Sequence, residues 1–210
     1  MTPSAVADRF ETPFLRSYVR SKLRSDPVYG AVLARLRDHP HPIVDVGCGV
    51  GLLPLLLRES GFAREIVGID FDAKKIDAAR KATDHRLLTT DYRLADARDP
   101  LPPNHSVVML DLLHYFSDDD QRAILANAAR AVPPGGMIIV RDAIDDGSWR
   151  YRVTWLAESF ARLVFWLKAE RLNFPKRDLF QIDGFDVEVQ PLWGRTPFNN
   201  HLFVAVRRVE

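Results

Sequence analysis

The 210-residue chain is predicted to fold as an α/β domain. The expected architecture is a doubly wound, mostly parallel sheet of about seven strands with an antiparallel last strand, helices on both faces and an N-terminal helical cap. Three features predict it. From residue 43 onward, short apolar runs alternate with stretches of helical periodicity. Those runs do not alternate polar with apolar, as expected of strands covered on both faces. The two runs nearest the C-terminus are joined too closely for a parallel crossover, so they must pair antiparallel. A hydrophobic content of 47% supplies one sizeable core, so a single compact domain is expected, with residues 1–41 as the cap and 42–210 as the sheet domain.

Two short helices are expected to open the chain. Phe14, Tyr18, Val19 and Leu23 recur at helical spacing through residues 10–24. Asp26 then reads as an N-cap with Pro27 at the first helical position, and that helix runs towards Asp38. His39-Pro40-His41-Pro42 stops it, because proline cannot continue a helix and restricts the residue before it. Strands follow at Ile43–Val46, Glu65–Asp70, Tyr92–Ala95, Val107–Leu112 and Met137–Asp142. Between them lie helices over Leu52–Glu59, 72–83, and from the caps Ser117 and Asp118 to Ala131. Residues 149–172 form a long amphipathic helix with Leu156, Phe160, Leu163, Val164 and Leu167 on its apolar stripe. Phe185–Val189 and Leu202–Val206 are the closing antiparallel pair.

A formal net charge of +1 argues against a nucleic-acid partner. Basic residues nevertheless outnumber acidic ones over 1–39 and 149–180, on either side of an acidic middle. Cys48 is the only cysteine, which rules out an intrachain disulfide and fits a reducing, cytoplasmic setting. The N-terminus lacks a charged region followed by an apolar run, so no secretory signal is expected. No apolar stretch approaches the roughly 20 residues of a membrane-spanning helix. No metal-ligand cluster is read from the sequence.

The first strand runs into Asp45-Val46-Gly47-Cys48-Gly49-Val50-Gly51, a glycine-rich turn at the edge where doubly wound sheets bind ligands. Glycine is required where a side chain would block a ligand from the backbone N–H groups. A dinucleotide loop reads G-x-G-x-x-G and cradles a pyrophosphate. This loop reads G-x-G-x-G, with an acidic residue two positions before the first glycine. The second strand ends in Asp70, whose carboxylate offers acceptor sites without competing donors. Further on come Asp96-Ala97, the segment Val108-Met109-Leu110-Asp111-Leu112-Leu113-His114-Tyr115, and the turn Val132-Pro133-Pro134-Gly135-Gly136.

Together these motifs, over residues 42–143, resemble the class I (Rossmann-like) S-adenosylmethionine-dependent methyltransferases. The resemblance implies S-adenosyl-L-methionine as cofactor, with Gly47, Cys48, Gly49 and Gly51 wrapping its methionine and ribose portion. It places Asp45 at the methionine amino group, Asp70 at the ribose hydroxyls, and Asp96 with the N–H of Ala97 at the adenine. Phe71 either packs on the adenine or joins the core, and Asp72 caps the following helix. Asp111 and Leu112 are expected beneath the sulfonium.

Methyl transfer is an in-line displacement that depends on alignment, and it needs a base only when the acceptor must lose a proton. His114 is the candidate, since it follows the fourth strand and titrates near operating pH. Its other reading is a shape-determining residue of the cofactor pocket. Tyr18, Tyr115, Trp193 and His201 are candidate acceptor-side residues, with packing or strand capping as the plainer roles.

The aromatic and basic helix 149–172 reads either as the cover of an apolar acceptor pocket or as an interfacial surface. The first is favoured, with a carrier protein or membrane surface as candidate partner of the basic helices. The expected activity is O- or C-methylation of a small aromatic or apolar metabolite of the natural-product, quinone or polyene-pigment kind. The alternatives are a non-catalytic S-adenosylmethionine-binding partner protein and an NAD-dependent oxidoreductase.

Overall fold

A computed structural model describes residues 3–83, 90–165 and 172–209. A seven-stranded sheet is its centre, in the order β3-β2-β1-β4-β5-β7-β6. The strands are β1 (Ile43–Val46), β2 (Ile66–Asp70), β3 (Thr90–Leu94), β4 (Ser106–Leu110), β5 (Met137–Ala143), β6 (Phe185–Pro191) and β7 (Asn200–Arg207). The first five are parallel where they pair, while β7 runs antiparallel to both β5 and β6. The order reverses at β1, which pairs with both β2 and β4. The carboxyl edge at that point is where ligands enter sheets of this kind.

The central strands feed two cores, which explains their unbroken apolar runs. Ile43, Ile66, Val108 and Ile139 pack on one face with Val6, Phe10, Val19, Leu36 and Leu57. Val44, Val67, Met109 and Val140 pack on the other with Ile124, Leu125 and Ala128. The first face is covered by α1 (Pro3–Ala7), α2 (Pro13–Ser25), α3 (Val28–Leu36) and α4 (Leu52–Glu59). The second is covered by α6 (Asp118–Ala131). The remaining helices are α5 (Ala73–Ala82) and α7 (Trp149–Phe165).

Local chemistry sets the helix ends. Thr12 accepts from the N–H of Leu15 with Pro13 inside the first turn, Asp72 accepts from Lys74, and Ser117 accepts from Asp120.

Several expectations need correction. Among the described residues three helices precede the sheet rather than two, because Pro3–Ala7 makes a short one of its own. The helix after Asp26 starts at Val28 and ends at Leu36, with Pro27 just outside it. The third strand begins at Thr90 and ends at Leu94, so Ala95 falls beyond it. The stripe expected on α7 is not buried: Leu156 is 62% exposed and Phe160 65%. The helix is seated instead by Thr154, which accepts from the N–H of Asn199 at 2.8 Å. The side chains of Leu163 and Val164, and the whole of Leu167, lie outside the described residues.

Gly51 sits at φ +81°, and a Cβ there would stand 2.7 Å from the Tyr92 hydroxyl oxygen. Gly51→Ala is therefore expected to lower unfolding stability by about 1–3 kcal/mol in urea titrations.

Candidate active site

The glycine loop is shaped by its hydrogen bonds to β2. The N–H groups of Gly47 and Cys48 donate to the carbonyl of Ile69 at 2.7 and 3.0 Å. The N–H of Gly49 donates to Asp70 Oδ2 at 2.9 Å, and that of Asp72 to Asp70 Oδ1 at 2.9 Å. Asp70 thus holds the loop and the next turn at once, yet a carboxylate has about four acceptor positions, so capacity remains for a ligand. A Cβ on Gly49 would meet nothing within 4 Å, so the loop's backbone borders open space there. Next to it, Phe71 is 59% exposed, which removes core packing as its explanation. Cys48 is buried, with Sγ 3.7 Å from the carbonyl of Gly49. Asp45 is buried at the end of β1, and desolvation together with the charge of Asp70 pushes its carboxyl up to about 8.

Asp96 follows β3 and is gripped by the Arg98 guanidinium, with Nε on Oδ1 and Nη2 on Oδ2, both at 2.8 Å. That bond holds its carboxyl below the usual carboxylate range. Ala97 is buried in the second core. Leu112 supports the loop from below, its side chain 2.9 Å from where a Cβ on Gly47 would stand.

Beyond the loop, at the carboxyl ends of β4 and β5, lies a cavity of about 240 Å³. Lys22, Asp26, Asp111, His114, Arg141, Asp142, Thr154, Glu158 and Phe174 are among the residues lining it. Asp111 adopts φ +56°, a strained conformation for a residue other than glycine. It is held there by Arg141: its N–H donates to the Arg141 carbonyl at 2.8 Å, and its carboxylate pairs with the guanidinium. Arg141 Nη2 also donates to Asp26 at 2.6 Å, which ties the N-terminal cap to the sheet. Lys22 Nζ stands 3.4 Å from Asp26 and 3.5 Å from Asp111.

His114 is 3% exposed, its ring stacked on Phe174 at 5.2 Å and tilted against Tyr115 at 4.0 Å. Its Nδ1 is hydrogen-bonded to Asp142 Oδ1 at 2.7 Å, and its backbone N–H donates to Asp142 Oδ2 at 3.2 Å. Burial alone would lower its basicity. The charge and hydrogen bond of Asp142, with Glu158 beyond, overcome that and raise its pKa above the ordinary value. Because Asp142 accepts at Nδ1, the proton sits there and Nε2 is left as the free base. Nε2 is buried with no hydrogen-bond partner among the described residues.

Asp142 was not singled out from the sequence. The signal was present: MIIVRDA ends an otherwise apolar buried strand in two charged residues, which need partners at the carboxyl edge. Of the expected acceptor-side residues, Tyr115 lies against His114. Tyr18 is exposed on α2. Trp193 receives the Arg150 guanidinium 4.3 Å from its ring centre and packs edge-on to His201, whose Nδ1 is 2.9 Å from the carbonyl of Asn199. None of the four is part of the cavity wall. The chain has one Tyr-x-x-x-Lys spacing, at Tyr18 and Lys22, the pair many oxidoreductases use for hydride chemistry. It precedes the sheet, and Lys22 is engaged with Asp26 and Asp111.

Comparison with known proteins adds an independent line. Residues 43–136 match the family model described as "Methyltransferase domain". A ubiquinone biosynthesis O-methyltransferase of Rhodopseudomonas palustris (strain BisA53) is 29% identical over 142 residues, covering 67% of this chain and 53% of that protein. A tRNA N(3)-methylcytidine methyltransferase of Drosophila melanogaster is 30% identical over 112 residues, 49% of this chain and 34% of that protein. The chain thus spans about half the length, or less, of these curated relatives. Among solved structures, magnesium protoporphyrin IX methyltransferase from Synechocystis PCC 6803, with S-adenosylhomocysteine bound, superposes with a TM-score of 0.66 at 19% identity. That match covers 98% of this chain and 95% of the other, and it shows a shared fold.

Gly49→Leu places a side chain in the open space beside Asp70. Calorimetry is expected to show loss of S-adenosylhomocysteine binding by at least about 100-fold, with a helical circular dichroism spectrum like that of the wild type.

Proposed function

We propose that this chain, which matches the methyltransferase domain family over residues 43–136 and shares the fold of a magnesium protoporphyrin IX methyltransferase, transfers the methyl group of S-adenosyl-L-methionine to a small hydroxylated or acidic-carbon acceptor, with His114 as general base. The observation that carries this reading is the His114–Asp142 pair, both members of which line the cavity at the carboxyl ends of β4 and β5.

The residues present fit the cofactor. Gly49 leaves its cradle open, Asp70 has spare acceptor capacity for ribose hydroxyls, and Phe71 offers an exposed ring face for the adenine. Gly47, Cys48 and Gly51 complete the loop, Asp96 and Ala97 would hold the adenine, and Asp111 and Leu112 would lie beneath the sulfonium. Asp45, held largely protonated by its burial, would ionise beside the methionine ammonium. Bound there, S-adenosylmethionine supplies a methyl group already activated by its positively charged sulfur.

The chain's own part in the reaction is orientation and proton transfer. His114 Nε2 accepts the proton of the acceptor as its oxygen or carbon becomes the nucleophile. Asp142 fixes the tautomer and stabilises the imidazolium that results. Stacking on Phe174 holds the ring plane. The cavity, at about 240 Å³, suits a single substituted ring rather than a polymer, since about 150 Å³ holds benzene. Similarity to a ubiquinone biosynthesis O-methyltransferase and a demethylmenaquinone methyltransferase supports a ring of the quinone kind as acceptor.

Delivery of the acceptor from a carrier protein or a lipid surface draws support from the exposed Trp149, Trp155, Leu156 and Phe160 on α7. Among the described residues no helix is long and apolar enough to cross a membrane.

Asp142→Asn tests the pair. The acidic limb of the kcat–pH profile, measured with a panel of phenols and S-adenosylmethionine, should lie above pH ~6.5 in the wild type, because the base works only when deprotonated. In the variant the limb should move to lower pH and kcat should fall by about 10²–10⁴. An unchanged limb rules out His114 as the base. Binding of NAD without binding of S-adenosylhomocysteine, by calorimetry, would overturn the methyltransferase reading itself.

A further inference from the structure

Two side-chain nitrogens of the cavity wall are buried without a hydrogen-bond partner among the described residues, His114 Nε2 and Arg141 Nε. They are unlike in kind. With Nδ1 protonated against Asp142, His114 Nε2 can only accept. Arg141 Nε–H can only donate. The two terminal nitrogens of the same guanidinium are already engaged, one with Asp26 and the other with Asp111. Fixed carboxylates therefore balance the charge of Arg141, but its inner N–H is left over. An unmade hydrogen bond at a buried donor costs about 1–3 kcal/mol, so such a donor is met by a water or by a ligand that displaces it.

A ligand that satisfies both atoms must carry two different oxygens. One is an acidic hydroxyl that donates to Nε2 and then loses its proton there. The other has no hydrogen and accepts from Nε–H. Lys22, between Asp26 and Asp111, adds a positive charge on the same wall. We propose that the acceptor is a hydroxy compound bearing a carbonyl or carboxylate oxygen near its reactive hydroxyl, and that Arg141 is the specificity-determining residue that reads that second oxygen. This rests on the cavity being the acceptor site. In the ligand-free state both nitrogens are covered, so binding moves the side chains over them, as is common when catalytic contacts tighten only around a ligand. A carboxylate at Arg141 has a second potential source, the methionine end of the cofactor, and the test separates the two.

Equilibrium binding reads the proposal without turnover. Protein saturated with S-adenosylhomocysteine is titrated calorimetrically with phenol, benzoate and 2-, 3- and 4-hydroxybenzoate. At least one hydroxybenzoate should bind about tenfold tighter than either parent compound. Arg141→Lys keeps a cation between Asp26 and Asp111 but has no inner N–H, and it should erase the margin over phenol. Equal binding of phenol and every hydroxybenzoate, no binding of any, or a margin that survives Arg141→Lys overturns the proposal. If Arg141→Lys weakens S-adenosylhomocysteine but not methylthioadenosine, which lacks the methionine carboxylate, the oxygen belongs to the cofactor and the proposal falls. Should the variant fail to fold by circular dichroism, the wild-type ranking of phenol against the hydroxybenzoates still decides. The role of His114 as base is tested by the pH profile of Asp142→Asn, so either claim can fail while the other stands.

Discussion

Arg141 and Asp142 end β5 with adjacent charges on opposite faces of the sheet, and the site depends on what each of them holds. Asp142 turns back to His114, fixing ring and backbone together. Arg141 turns to Asp26 and Asp111, joining the N-terminal cap to the end of β4. A buried ion pair of this kind adds little net stability over apolar packing, but removing one partner leaves the other stranded and costs about 3–5 kcal/mol. The constraint acts through position more than stability. It keeps Asp111 in a left-handed conformation just after β4, and it keeps the cap over the cavity. Positioning is also what a methyl transfer asks of a protein, since the departing sulfur is already activated.

The glycine-loop half of the edge works by a different balance. Asp45 and Asp70 face the same loop, and burial with mutual repulsion drives Asp45 towards its neutral form. Asp70 accepts from two backbone N–H groups and so shapes the turn. The family model matches residues 43–136, whereas the cavity also draws on α2, α7 and the segments flanking β7.

That division explains how far the sequence could be read. The strands, the loop with Asp45 and Asp70, and the capping of α5 and α6 are local patterns of a few residues, so they were legible. The antiparallel closing pair followed from the short connection between its strands. The third strand was misplaced because it lies at the sheet's edge, with Asp91 and Arg93 exposed, and carries little apolar signal. Leu156 and Phe160 of the α7 stripe stay exposed because apolar periodicity implies a buried face only when a core is free to receive it. Here both sheet faces were already covered, and polar contacts through Thr154 oriented the helix. The Asp142 partnership was invisible for another reason: it joins residues 28 apart, which only the β4–β5 pairing brings together. Ion pairing of Lys22 and Asp26 with residues of β4 and β5 has no sequence pattern at all.

A crystal structure of the S-adenosylhomocysteine complex should place the ribose hydroxyls on Asp70, the adenine against Phe71, and the sulfur facing the cavity lined by His114 and Arg141. A ligand seated elsewhere on the sheet, or one whose sulfur points away from His114, would contradict that placement.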